Sequence, residues 1–126
     1  VYDWGEAFVL LNLVLKPSLD SVVNDSLASL AVANGDEFLA LLLAEFQRES
    51  GRSQAWTSAL VTYALEQDPA LADVVRGWVD TWSPLADAAV AGVSELFATA
   101  PVAGDPAAVR DTATKAREAL LAASGL

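Results

Sequence analysis

The stretch Phe8-Val9-Leu10-Leu11-Asn12-Leu13-Val14-Leu15 contains one polar residue in eight and has no alternating pattern. A helix that is apolar on every side is stable only when it is covered on every side. That requirement constrains the chain more than any other feature. A single domain of 126 residues typically buries only about two thirds of its unfolded surface. Some of this apolar surface is therefore expected to meet something beyond the domain's own core.

The same pattern continues downstream. The first helix is read from about Asp3 to about Ala33. Pro17 is expected to kink or interrupt it, because proline lacks an N–H and clashes with the preceding turn. Beyond Pro17, Leu19, Val22, Val23, Leu27 and Leu30 keep helical spacing, with Asp20, Asn24 and Asp25 outside. Asn34-Gly35-Asp36 reads as a turn, with Gly35 at positive φ and Asp36 as the next cap. Phe38, Leu39, Leu41, Leu42, Leu43 and Phe46 open a second very apolar helix. It continues to about Glu66, carrying Trp56, Leu60, Val61 and Tyr63, with a break at Gly51 as the alternative.

Asp68-Pro69 and Asp105-Pro106 are both helix-start signals, Asp as cap and Pro at the first position. The third helix is read from about Pro69 to about Ala98. Trp78 and Trp82, four apart, stack on one face, and Ser83-Pro84 is expected to kink or split the helix. The last helix, about Pro106 to Ala123, presents Val109, Ala113, Ala116, Leu120 and Ala123 on one side, with Arg110, Lys115 and Arg117 elsewhere. No run alternates as a half-buried strand does. Residues 1–126 therefore read as one all-α domain, a bundle of long, kinked helices.

Composition limits the chemistry. There is no His and no Cys, so the common nucleophile–base pairs and imidazole or thiolate metal sites cannot be built from these residues. Carboxylates are the plentiful polar groups. Glu45 and Glu49 are four apart, as are Asp20 and Asn24, but no clustered calcium-type motif is present. Solvated faces and helix caps account for nearly every acid. The net charge of −10 opposes binding to nucleic acid and to anionic membrane surfaces. No stretch reaches the ~18 apolar residues of a membrane span. The start Val1-Tyr2-Asp3 has no basic region of the kind that opens a signal peptide, and a cytoplasmic location is expected. The chain begins without Met and within a helical pattern, as a fragment of something longer would.

The candidate functional residues are packing residues. Trp4, Phe8, Leu11, Asn12, Leu15, Trp56, Trp78 and Trp82 are read as interface or core anchors, the usual role of aromatics at helical spacing. A Trp-lined ligand pocket is the competing reading. Asn12 is expected to be a buried amide satisfied across a helix interface, and Ser83 a cap rather than a nucleophile. No catalytic, cofactor-binding or metal residue is assigned.

Asp3-Trp4-Gly5-Glu6-Ala7 and Leu11-Asn12-Leu13-Val14-Leu15-Lys16-Pro17 resemble the beta subunit of the hydroxylase of soluble bacterial di-iron monooxygenases, the propane and alkane branch in particular. Ala33-Asn34-Gly35-Asp36, Arg52 with Ala55-Trp56, Leu60-Val61, Gly77-Trp78 and Trp82-Ser83-Pro84-Leu85-Ala86 follow in order. The match is to the C-terminal part of a longer subunit. The resemblance implies a ferritin-like scaffold without iron ligands. It would pack against a catalytic alpha subunit in an α₂β₂-type hydroxylase, with a gamma chain in some members. The di-iron centre and the hydrocarbon pocket would lie in alpha. A reductase and a coupling protein would complete an NADH- and O₂-dependent hydroxylation. The alternative is an acidic helical-bundle interaction or small-ligand-binding module with no enzymatic role.

Overall fold

The structure, a computed structural model, describes residues 3–126; Val1 and Tyr2, the start read as lacking a basic leader, lie outside them. Four long helices make up the described residues. The first, α1, is continuous over Trp4–Val9, Leu10–Leu15, Lys16–Asp20, Ser21–Ser26 and Leu27–Ala33. Helix α2 covers Glu37–Gln67, and α3 covers Leu71–Ser94 with a 3₁₀ extension at Glu95–Thr99. Helix α4 covers Pro106–Ala123. The all-α bundle reading holds, and the described residues contain no strand.

Pro17 does not interrupt α1. The segment Leu10–Leu15 just before it is π-helical, and Lys16 N–H donates to Leu11 O, five residues back. The wider π turn makes room for a ring that a regular α turn would press against the carbonyl of Leu13. A second π segment, Ser21–Ser26, closes with Leu27 N–H donating to Val22 O. A π turn inserts an extra residue and so rotates the phase of everything downstream. For this reason Asn24, expected outside, is buried.

Two of the predicted caps, Asp36 and Asp105, form, and Asp3 adds one not expected from the sequence. Asp3 accepts from Gly5 N–H, Asp36 from Leu39 N–H (3.0 Å), and Asp105 from Ala107 N–H (2.9 Å). Gly35 sits at φ 78°, the left-handed conformation that favours glycine at this turn. Helix α2 runs through Gly51 without a break. Helix α3 starts at Leu71, not Pro69: Asp68 accepts from Ala70 N–H, and the Pro69 turn precedes the helix. It ends at Ser94, short of Ala98, where the backbone tightens to 3₁₀.

Pro84 lies inside α3 without dividing it, and Ser83 is not a cap. Its hydroxyl donates to Val79 O at 2.7 Å within the helix. The carbonyl that loses an i+4 partner to Pro84 belongs to Asp80, an exposed residue.

Two apolar clusters hold the helices together. One joins Val9, Leu13 and Val14 of α1 to Val61, Val79, Ala86 and Leu120 of the other three helices. The other joins Val22 to Val90, Phe97, Val109 and Ala113. Leu13 and Val14 are completely buried; sealing a side chain of this size from water contributes about 1.5–3 kcal/mol. Arg117, expected on the polar side of α4, is instead buried (6% exposed). Its guanidinium pairs with Asp87 of α3 at 2.8 Å and donates weakly to the Ser18 hydroxyl of α1 at 3.4 Å. A single side chain thus ties three helices.

Candidate interaction face

Helix α2 packs against its own chain through a narrow seam. Its buried residues are Leu43, Ser50, Thr57 and Val61. A second apolar stripe on the same helix faces outward: Phe38 (79% exposed), Leu41, Leu42 and Phe46 near one end, Trp56 (61%), Leu60 and Tyr63 near the other. Positions recurring every three or four residues share one side of a helix. On α1, Trp4 (80% exposed) and Leu11 are also open, with half-buried Phe8 between them in spacing. Phe8 joins the two helices: its ring lies 6.1 Å from that of Trp56, edge-on at 68°. Trp4, Phe8 and Leu11 of α1 and Trp56, Leu60 and Tyr63 of α2 are the large apolar groups at this end of the hairpin. Monomers rarely leave apolar surface on this scale uncovered.

The predicted anchors divide into two groups. Trp4, Leu11 and Trp56 are exposed, so the all-round burial expected of the Phe8–Leu15 stretch is not achieved within the described residues. Trp78 and Trp82 are half-buried and pack on the Val9–Leu13 cluster together with Phe8 and Leu15. Trp82 Nε1 donates to Glu6 of α1 at 2.9 Å. A Cβ added at Gly5 would lie in ordinary contact with the ring of Trp78, at 3.5 Å, and more tightly against Asp3 Oδ1, at 3.0 Å. Asn12 is half-buried, and its amide donates to Phe8 O in its own helix at 3.1 Å rather than across an interface.

A cleft of about 730 Å³ lies between α1, α2 and the end of α4. No Trp lines it. Its floor is a polar chain the sequence did not assemble. Ser50 Oγ donates to Asp20 Oδ2 at 2.8 Å, Asn24 donates to Ser50 at 3.0 Å, and Lys16 pairs with Asp20 at 2.6 Å. Asp20 and Asn24 thus serve to hold α1 to α2. Beside them, burial raises the pKa of the Asp25 carboxyl, and the charge of Asp20 raises it further. Gln47 donates to that carboxylate. Ser50 gives no sequence signal beyond being, with Thr57, a polar residue on the inward seam of α2.

Glu45 pairs with Arg48 and Glu49 with Arg52, both within α2 and both exposed. Among the described residues no group of three acids is placed to hold a metal ion. No described helix is long and apolar enough to cross a membrane.

Fold and face together describe a helical bundle with an outward apolar surface. The sequence comparisons give its family. The profile of the Methane/Phenol/Alkene Hydroxylase family matches residues 1–68, more than half of the chain, and the chain belongs to that family. It is 43% identical over 88 residues to the hydroxylase component subunit beta of the toluene-4-monooxygenase system of Ectopseudomonas mendocina. That stretch is 70% of this chain and 27% of the relative. It is 29% identical over 96 residues to the phenol 2-monooxygenase oxygenase component DmpL of Pseudomonas sp. (strain CF600), covering 75% of this chain and 29% of the relative. The matched stretches thus span little more than a quarter of each curated relative. No solved structure matches the chain.

Proposed function

We propose that this chain is the C-terminal helical part of a non-catalytic, ferritin-like beta subunit in a di-iron monooxygenase hydroxylase. The observation that carries the reading is the open apolar face on α1 and α2, in a chain whose relative is a hydroxylase beta subunit. Such a face is a building surface: covering it, by the rest of the subunit along α2 and by partner chains elsewhere, removes Trp4, Leu11, Trp56 and their neighbours from water.

The di-iron centre belongs to the partner alpha subunit in this reading. The residues here do not fit one. Carboxylate bundles of this class use Glu-x-x-His pairs on two helices, and this chain has no His. Glu45 and Glu49 of α2 are already paired with Arg48 and Arg52. Iron, O₂ chemistry and the substrate pocket therefore lie with alpha, in an α₂β₂-type assembly. A reductase drawing on NADH and a coupling protein complete the system. The substrate is a small hydrocarbon. The sequence resemblance favours propane, while the names of the two curated relatives are those of toluene and phenol enzymes.

Co-expression with the candidate alpha chain tests the reading. An affinity tag on this subunit should bring down an iron-bearing chain, and the complex with its reductase should hydroxylate propane or an aromatic ring. A subunit that stays monomeric and soluble and captures no iron protein would sink it. Product analysis on propane, toluene and phenol then decides the substrate.

A further inference from the structure

The outward stripe of α2 has a feature that a simple apolar patch lacks. Between its two apolar ends lie Glu45, Arg48, Glu49 and Arg52, paired as Glu45–Arg48 and Glu49–Arg52. Glu45, Glu49 and Arg52 continue the three-to-four spacing that links Phe38 and Leu42 to Trp56, Leu60 and Tyr63, so they occupy the same side of the helix. From Phe38 to Tyr63 the stripe is about 38 Å long at 1.5 Å per residue. Any element that covers both apolar ends must also cover the charged middle. The middle is neutral as it stands, two acids against two bases, in a chain whose net charge is −10.

We propose that the outer side of α2 is one continuous interface, closed by helices of the same polypeptide. Its buried, charge-neutral centre is Glu45–Arg48 with Glu49–Arg52. This rests on reading the chain as part of a longer hydroxylase subunit. Three observations favour a covering from the same polypeptide. Roughly 70% of each curated relative lies outside the matched stretch (27% and 29% matched), ample for antiparallel helices of this length. The stripe runs along α2 from its first turn to within a turn of its end, the geometry of a neighbouring helix lying alongside. The centre is self-neutralising, so the covering element needs no counter-charge there, only apolar residues at both ends and hydrogen-bonding groups in the middle. A tethered helix also docks at high effective concentration, which favours closure from within the subunit.

The absence of Cys from these 126 residues makes thiol labelling a clean test. Leu42→Cys and Leu60→Cys are placed singly in the full-length subunit, and maleimide labelling is compared with the urea-unfolded subunit. Any Cys elsewhere in the subunit is replaced first. Both thiols should react at least about tenfold more slowly in the isolated folded subunit, before any alpha chain is added. Fast labelling that slows only on adding alpha would assign the face to the partner subunit and overturn the proposal. Fast labelling in the complete hydroxylase would show the face open and overturn it as well. A fluorotryptophan-labelled subunit, its Trp56 signal assigned with Trp56→Phe, gives the same comparison without altering the face.

The centre has its own arm. Arg52→Gln alone should lower the yield of folded subunit several-fold by stranding Glu49 in the interface. Glu49→Gln with Arg52→Gln should recover most of it. If single and double variants all match the parent, the charges lie in water and the buried centre is wrong. Capture of an iron-bearing chain is scored separately. Protected thiols without that capture would keep the interface and reject the hydroxylase reading; capture with fast-labelling thiols would do the reverse.

Discussion

Asn34 and Val102, 68 residues apart, exchange two hydrogen bonds: the Asn34 amide donates to Val102 O at 3.0 Å, and Val102 N–H donates to Asn34 Oδ1 at 2.8 Å. The side-chain amide acts as a peptide group would, pairing with the backbone of the loop between α3 and α4. It also donates to Leu30 O at 2.9 Å, closing the end of α1. One residue ends a helix and pins a distant loop to it, a geometry that requires both a donor and an acceptor on the same short side chain.

Asn34→Ala should therefore lower stability by about 1–2 kcal/mol, the low range because the bonds are exposed. Asn34→Asp should lose more, since a carboxylate turns both donated bonds into repulsions with carbonyls. Urea unfolding of the two variants gives the order; an aspartate variant as stable as the parent would show that the loop is held by other contacts.

Arg117→Ala should cost about 2 kcal/mol or more, because Arg117 is buried while ion-paired and reaches three helices. The figure stays below that for a wholly buried pair because Asp87 is half-exposed and regains water when the arginine is lost. Arg117→Met should recover part of the loss by filling the space without a charge. Thermal melts of both variants check the order, and a melting temperature unchanged in Arg117→Ala would remove the residue from the framework.

Leu11→Asp should leave the folding of the four helices nearly intact while preventing assembly, since Leu11 is 54% exposed. Circular dichroism reads the first effect and co-purification with the alpha chain the second. Leu13→Asp, two residues on and fully buried, should instead destroy the fold, because an unpaired charge cannot be solvated there.

Trp78→Ala should destabilise by about 2–3 kcal/mol, less than a fully buried tryptophan would, because the ring is half-exposed. Substrate preference of the assembled hydroxylase should not move, since Trp78 packs on the core cluster and does not line the cleft between α1, α2 and α4. A normal melt with altered selectivity would place the ring at a ligand site.

The raised pKa of Asp25 fixes a sign. The folded protein binds this proton more tightly than the unfolded chain does. Between the ordinary aspartate value and the raised one, the folded state holds more protons, so this group's contribution to stability rises as pH falls. At neutral pH the ionised carboxylate is a burden caused first by burial and second by Asp20. Asp25→Asn should stabilise the protein at pH 7, and the difference from the parent should shrink as the pH is lowered. Denaturant midpoints at several pH values measure this; a variant equally destabilised at every pH would contradict it.

Local signals in the sequence determined a good deal by themselves. Asp36 and Asp105 were legible as caps, Gly35 as a positive-φ turn, and the four-helix count followed from 3.6-residue spacing, because caps and amphipathic periodicity act within a few residues. The lack of His likewise keeps an imidazole-bearing iron site off these helices. Tertiary structure decided the rest. The π turns around Pro17 shifted the helical phase, so Asn24 turned inward to Ser50 against the pattern. Arg117 was buried because Asp87 and Ser18, distant in sequence, could satisfy it. Trp4, Leu11 and Trp56 look the same in sequence as buried residues, and only the packing of α1 and α2 shows them facing out. A hydrophobic pattern states that a side chain must leave water; which neighbour covers it depends on contacts made across the whole chain and beyond it.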